Sequence, residues 1–259
     1  MVDFLDALAR DAKETINAGY YDLPISINSP AVSLKKAIVN SKHAAVIAEI
    51  KPTSPSIGNL HQNVVAENLA IAMKNGGAIG ISILTEPKHF NGALTSFMKA
   101  RKLAELPLLM KDIIVSPLQL DAAAKVGANA ILLIQALFTR GYCECDIHDM
   151  IRYAHIKNLE VLLEVHSKDE FSLAVNTDAD LVGINNRDLR TLKVDLGVTK
   201  EILNTVKVSE KIVVSESGIK TPDDIRFLHK LGARAFLIGS AIMTANNVEK
   251  KVKEFVNAL

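Results

Sequence analysis

The chain has 259 residues, enough for one large core and close to the roughly 250 residues of a single α/β barrel. Its 30 lysines and arginines balance 29 aspartates and glutamates with no block of like charge, which argues against a nucleic-acid or membrane-surface partner and for a small-molecule ligand. No apolar run reaches the roughly 18 residues that span a bilayer, the acidic start is unlike a signal peptide, and Cys143 and Cys145 sit too close in sequence for an unstrained disulfide, so a cytoplasmic protein with free thiols is expected.

Residues 1–43 predict a helical extension, because Phe4, Leu5, Leu8 and Ala9, and then Leu34, Ala37 and Ile38, recur at helical spacing. Both helices are expected to pack on an end of the domain that follows. From residue 44 to residue 259, short runs rich in Ile, Val, Leu and Ala alternate with amphipathic segments of helix length. The runs are Ala45 to Ile50, Ile79 to Leu84, Leu106 to Met110, Ala130 to Ile134, Val161 to Val165, Leu181 to Ile184, Ile212 to Val214 and Ala235 to Ile238. Strands this apolar need cover on both faces, and the alternation predicts a (β/α)8 TIM barrel, so that residues 1–259 form one domain. Ser116-Pro117 and Thr221-Pro222-Asp223-Asp224 carry helix-start chemistry, and Gly76-Gly77, Gly127 and Gly232 mark helix ends before the next strand.

The strand ends hold residues that stability alone does not select. Alternation along a strand points Glu49 and Lys51 the same way as Ala45 and Ile47, towards the interior. Desolvating either ion costs several kcal/mol unless it is paired or faces a polar cavity, so a ligand site is expected at that end. Lys111-Asp112 follows the third run, Glu164 lies in the fifth, Asn185-Asn186-Arg187-Asp188 ends the sixth and Glu216-Ser217-Gly218 the seventh. Two lysines and three glutamates thus converge on one rim, where barrels of this kind place their chemistry. Gly218 and Gly239-Ser240, after strands seven and eight, have the form of a phosphate cradle. His89 and His166 read as rim residues without chemistry. Cys143-x-Cys145-x-x-His148 lacks a distant ligand pair, so no metal is expected, and no cofactor is called for.

Taken together these residues resemble the indole-3-glycerol phosphate synthase family. The likeness runs through Glu49-Ile50-Lys51 with Ser54-Pro55-Ser56, Leu84-Thr85-Glu86 with Phe90-x-Gly92, Lys111-Asp112 and Leu163-Glu164-Val165-His166. It continues through Gly183-Ile184-Asn185-Asn186-Arg187-Asp188, Glu216-Ser217-Gly218-Ile219 and Ile238-Gly239-Ser240. The resemblance implies a carboxy-lyase of tryptophan biosynthesis that converts 1-(2-carboxyphenylamino)-1-deoxyribulose 5-phosphate to indole-3-glycerol phosphate with loss of carbon dioxide and water. It also implies the site. The catalytic set is Glu49, Lys51, Lys111, Glu164, Asn185 and Ser217, with Lys111 as general acid and Glu164 serving the dehydration. Ser54, Ser56, Phe90, Arg187 and Glu216 bind substrate, and Gly218, Gly239 and Ser240 hold its phosphate. A monomer or weak homodimer is expected. Three positions depart from the family pattern: Met110 stands where arginine is common, Ile113 where phenylalanine is, and Asn91 where glycine is frequent. Ile113 is expected to loosen packing on the anthranilate ring and so raise KM more than it lowers kcat. Phosphoribosylanthranilate isomerase, a neighbouring barrel, relies on an early cysteine that this chain lacks at its first strand end.

Overall fold

The computed structural model describes residues 3–24, 26–27, 31–54, 58–59, 65–188, 191–206 and 211–259. Eight parallel strands close into a barrel: β1 (Ala45–Ile50), β2 (Gly80–Leu84), β3 (Leu108–Lys111), β4 (Ala130–Ile134), β5 (Glu160–Val165), β6 (Leu181–Asn185), β7 (Ile212–Glu216) and β8 (Ala235–Ile238). β1 pairs with both β2 and β8, which completes the ring. Every predicted run falls on one of these strands, and helices alternate with them as expected.

Three strands outlast their apolar runs. β3 continues to Lys111, β6 to Asn185 and β7 to Glu216, with Lys111 opposite Leu84 and Glu216 opposite both Asn185 and Leu237. Hydropathy ends a strand where polar residues begin, whereas the backbone ladder is indifferent to side-chain polarity. Lys111 and Glu216 therefore stand inside the barrel rather than in loops.

Alternation sorts the strand side chains into two cores. Val46, Ala48 and Ile50 of β1 join the layer between strands and helices, together with Ile81, Met110, Leu133 and Phe236. Ala45, Ile47, Leu109, Leu132, Leu162, Val214 and Leu237 pack in a separate interior cluster. Glu49, Lys111, Glu164 and Glu216 share the parity of this second set, so they cap the interior column at its carboxyl end.

Helix boundaries follow local chemistry. Ser116 and Thr221 cap helices Pro117–Lys125 and Pro222–Leu231 through complete capping boxes closed by Gln119 and Asp224. Helix Ala66–Asn75 stops before Gly76-Gly77. Among the described residues no helix is long and apolar enough to cross a membrane.

The extension forms α1 (Phe4–Asn17) and α2 (Leu34–Val39) as predicted, but the two helices go to opposite ends of the barrel. α1 buries Leu5, Leu8, Ala9 and Ala12 over the carboxyl ends of the strands. Ion pairs of Arg140 with Asp3 (2.9 Å) and Asp6 (2.7 Å) and of Lys88 with Glu14 (2.6 Å), and a hydrogen bond between His89 and Asp11 (2.6 Å), tie it to two rim loops. α2 closes the other end, where Leu34 fills the space beside Gly80 at the start of β2. Glu160, first residue of β5, accepts the N–H groups of Leu34 (2.7 Å) and Lys35 (3.0 Å) and the hydroxyl of Ser33. A carboxylate there satisfies first-turn donors and meets the positive end of the helix dipole. Glu160→Ala is expected to lower stability by about 1–2 kcal/mol in urea denaturation, with faster amide exchange at Leu34 and Lys35. Unchanged exchange at those two amides would mean that α2 is held by its apolar face alone.

Candidate active site

Two adjoining chambers open at the carboxyl ends of the strands. The inner one, of about 90 Å³, is walled by Phe4, Leu8, Leu84, Phe90, Ile113, Leu132 and Ile134 and carries Glu49, Lys51, Lys111, Glu164, Asn185, Arg187 and Ser217. The outer one, of about 570 Å³, is lined by Gly218, Ile219, Lys220, Gly239, Ser240, Ala241 and Lys251. Glu49, Lys51, Lys111, Arg187 and Ser217 border both.

The charged core of the site is compact. Lys51 Nζ lies 2.7 Å from Glu49 Oε2, and Lys111 Nζ lies 3.2 Å from both Glu49 Oε1 and Glu216 Oε2. Glu49 and Glu216 are buried, at 2% and 0% exposure. Burial works against ionisation of Glu49, but Lys111 and Lys51 outweigh it and hold the carboxyl at about 2. Burial likewise disfavours the Lys111 ammonium, yet Glu49, Glu216 and Glu164 together push its pKa well above the usual lysine range. Glu216 goes the other way: burial, with the charges of Glu164 and Glu49, raises it to about 7 against the pull of Lys111. The cluster thus holds one fixed cation at Lys111, one fixed anion at Glu49 and one carboxyl ready to take a proton near neutrality.

Two glycines make room for this arrangement. A methyl group at Gly239 would overlap the Glu49 carboxylate, and one at Gly183 would overlap that of Glu216. Gly239, read from sequence as part of an anion cradle, therefore also serves as the space into which Glu49 folds. Glu216, expected against substrate, borders neither chamber; it sits beneath the mouth and contacts Lys111. Ser56 and the side chain of Ser54 lie outside the described residues. The other predicted positions meet around the two chambers.

Supporting residues hold the rim. Glu86 accepts the N–H groups of Lys88 (2.9 Å), His89 (2.7 Å) and Phe90 (3.0 Å), which fixes the loop that carries Phe90. Asn91 in that loop has φ +52°, a region asparagine tolerates better than most side chains, which accounts for its standing where glycine is frequent. Asp112, beside Lys111, accepts from Thr85 Oγ1, Tyr21 Oη and the Ile113 N–H, and burial raises it to about 6 against those bonds. Asn186 donates to the backbone carbonyls of Glu216 (2.9 Å) and Ser217 (3.2 Å), and Asn185 accepts the Arg187 N–H at 3.0 Å. Arg187 donates to the Leu192 carbonyl at 3.0 Å. His166, read from sequence as a rim residue without chemistry, is 15% exposed with Nε2 3.3 Å from Glu164 Oε1. Its place two residues after Glu164, one past the end of β5, is the signal that could have found it.

The shifts on Glu49 and Glu216 act oppositely on stability. Between the ordinary carboxyl value of 4.5 and about 7, folded Glu216 retains a proton that the unfolded chain has lost, so stability falls as pH rises through that interval. Glu49 contributes stability that is present above 4.5 and lost as pH falls towards 2. Glu216→Gln is expected to remove the first dependence, so that the wild-type minus variant difference in unfolding free energy slopes downward from pH 4.5 to 7. A flat difference curve there would show that Glu216 is ionised throughout.

The family model for indole-3-glycerol phosphate synthase matches residues 7–255. The chain is 43% identical over 227 residues to the indole-3-glycerol phosphate synthase of Methanocaldococcus jannaschii, covering 86% of this chain and 82% of that one. It is 38% identical over 244 residues to the enzyme of that name from Desulforamulus reducens, covering 94% and 91%. Among solved structures, thiamine phosphate pyrophosphorylase from Pyrococcus furiosus superposes with a TM-score of 0.59 at 21% identity, over 85% of this chain and 96% of that one, a likeness of fold alone. On the match along nearly its whole length, and with the two-lysine, three-glutamate mouth that the motifs anticipated, the chain belongs to the indole-3-glycerol phosphate synthase family.

Proposed function

We propose that this chain closes the indole ring of 1-(2-carboxyphenylamino)-1-deoxyribulose 5-phosphate, with loss of carbon dioxide and water, to give indole-3-glycerol phosphate in tryptophan biosynthesis. The observation that carries this reading is the position of Lys111, an ammonium held by two buried carboxylates where an apolar chamber meets a polar one. The anthranilate ring fits the Phe4, Leu8, Phe90 and Ile113 side. The phosphate fits the Gly218, Gly239 and Ser240 side, where Lys51, Lys220 and Lys251 add positive charge and the first-turn N–H groups of helix Ser240–Met243 lack intrahelical acceptors. With both ends placed, the ribulose carbonyl lies over Lys111.

Lys111 protonates the carbonyl oxygen as the aromatic carbon bearing the carboxylate attacks, and Glu49 and Glu216 stabilise the positive charge that develops before carbon dioxide leaves. Glu164 handles the proton of the dehydration. Lys51 bridges the chambers and contacts the substrate's anionic groups, while Asn185, Arg187 and Ser217 orient it. All of these groups belong to one chain, which suits a monomer or weak homodimer, and the free thiols Cys143 and Cys145 suit a reducing cytoplasm.

Lys111→Ala is expected to fold, as judged by its thermal melt, and to lose at least about a hundredfold in kcat when followed by indole fluorescence. Near-normal turnover would remove Lys111 from the reaction. Because a side chain at Gly239 would strike Glu49, Ser240 is the cleaner probe of the cradle. Ser240→Asp is expected to weaken substrate and inorganic phosphate binding by at least about tenfold, in KM and in calorimetry, with kcat much less affected. Unchanged affinity for both would place the phosphate elsewhere.

A further inference from the structure

Three buried carboxylates meet at the mouth of the barrel. Glu49, Glu164 and Glu216 are buried there with two ammonium groups. Lys51 lies on Glu49, Lys111 divides between Glu49 and Glu216, and the Arg187 guanidinium, which also borders the inner chamber, donates to the Leu192 carbonyl, so among the described residues neither ammonium pairs with Glu164. His166 is in place to pair with Glu164. Its Nε2 is 3.3 Å from Glu164 Oε1 and its Nδ1 is 3.7 Å from Glu170 Oε2, and the backbone N–H of His166 donates to Glu170 Oε2 at 2.8 Å. Nε2 is buried and forms no hydrogen bond, so it meets Glu164 at ion-pair distance but off line.

The ring stands in a wall between two cavities. Glu164 borders the inner chamber and His166 does not. His166 and Glu170 border a side cavity of about 350 Å³, which Glu164 does not reach and whose other charged lining residues are Asp3, Arg140, Arg187 and Asp188. Glu164 of β5 and Glu170 of helix Lys168–Ala174 face the ring directly, Glu216 of β7 acts at longer range, and Arg140, paired with Asp3, acts on Glu170 from across the side cavity. Burial disfavours the imidazolium, but Glu170, Glu164 and Glu216 outweigh it and raise its pKa above the ordinary histidine value.

We infer that His166 is a positioning residue for Glu164: its ring is the cation that meets Glu164 and aims it at substrate, and Glu170 holds the ring from its other nitrogen. The inference rests on the role assigned above to Glu164.

The test is the pH dependence of kcat for His166→Gln, which keeps an N–H donor near the site of Nε2 and removes the charge. Its acid limb is expected to move up by about one unit, with kcat down about tenfold on the acid side of that limb and KM within about twofold of wild type. Glu170→Gln is expected to shift the alkaline limb downward and leave the acid limb in place. His166→Lys, which restores a cation, is expected to return the acid limb towards wild type. A His166→Gln profile with wild-type limbs would overturn the inference, whatever its melting temperature, because lost packing alone does not move a titration. Glu164→Gln, measured alongside, separates the two readings. If it accumulates the decarboxylated, still hydrated species in single-turnover mass spectrometry, the role of Glu164 stands and the His166 result is decided on its own. If it turns over normally, the role of Glu164 falls and the inference falls with it.

Discussion

The pairing of Lys111 with Glu49 and Glu216, inside the barrel rather than on its surface, is the constraint around which the upper half of the molecule is organised. Taking each ion out of water costs several kcal/mol, and that cost is offset only where partners stand at contact distance with their remaining groups satisfied. The strands deliver those partners from three directions, β1, β3 and β7, at interior positions that elsewhere in the same strands hold Ile47, Leu109 and Val214. Gly183 and Gly239 leave unfilled the volume that the carboxylates occupy. A cluster built in this way is fixed before substrate arrives, so its charges need little reorganisation when charge develops in the reaction.

The rest of the mouth serves to keep that cluster dry and aligned. α1 lays Phe4 and Leu8 over the inner chamber and is held by ion pairs to the loops after β2 and β4. At its far end Tyr21 donates to Asp112, the residue next to Lys111, and Tyr20 donates to the Thr85 carbonyl at 2.9 Å. The extension is thus bonded to the residue beside the proposed acid. α2 meets the opposite requirement, closing the amino ends of the strands, where nothing has to open.

Division of the site into an apolar and a polar chamber around shared charges gives an order to a substrate that is aromatic at one end and anionic at the other. The same residues, Glu49, Lys51, Lys111 and Arg187, border both spaces, so the reacting carbons are brought to the junction by the binding of the two ends. His166 lies one shell outside this junction, and its contact with Glu164 extends the charge balance of the mouth into the wall of the barrel.

Much of this is written in the sequence itself. Eight apolar runs at regular spacing demand strands buried on both faces, the period of two along β1 sends Glu49 inward, and the caps at Ser116 and Thr221 start helices by local hydrogen bonding; none of these depends on a distant residue. What the chain order could not give is the meeting of groups far apart in it. Glu216 reads as a substrate ligand because it follows an apolar run, and only closure of the barrel places it beneath Lys111, more than a hundred residues away, with a carboxyl raised by the charges it meets there. His166 reads as a rim residue because its spacing from Glu164 suggests a shared face but names no partner, until the fold sets it between Glu164 and Glu170. Gly239 reads as a turn or an anion cradle, and its use as the space for Glu49 exists only across the β1–β8 seam. Periodicity and capping are short-range and survive in a one-dimensional string, whereas desolvation, charge coupling and steric room depend on distances that the folded chain alone defines.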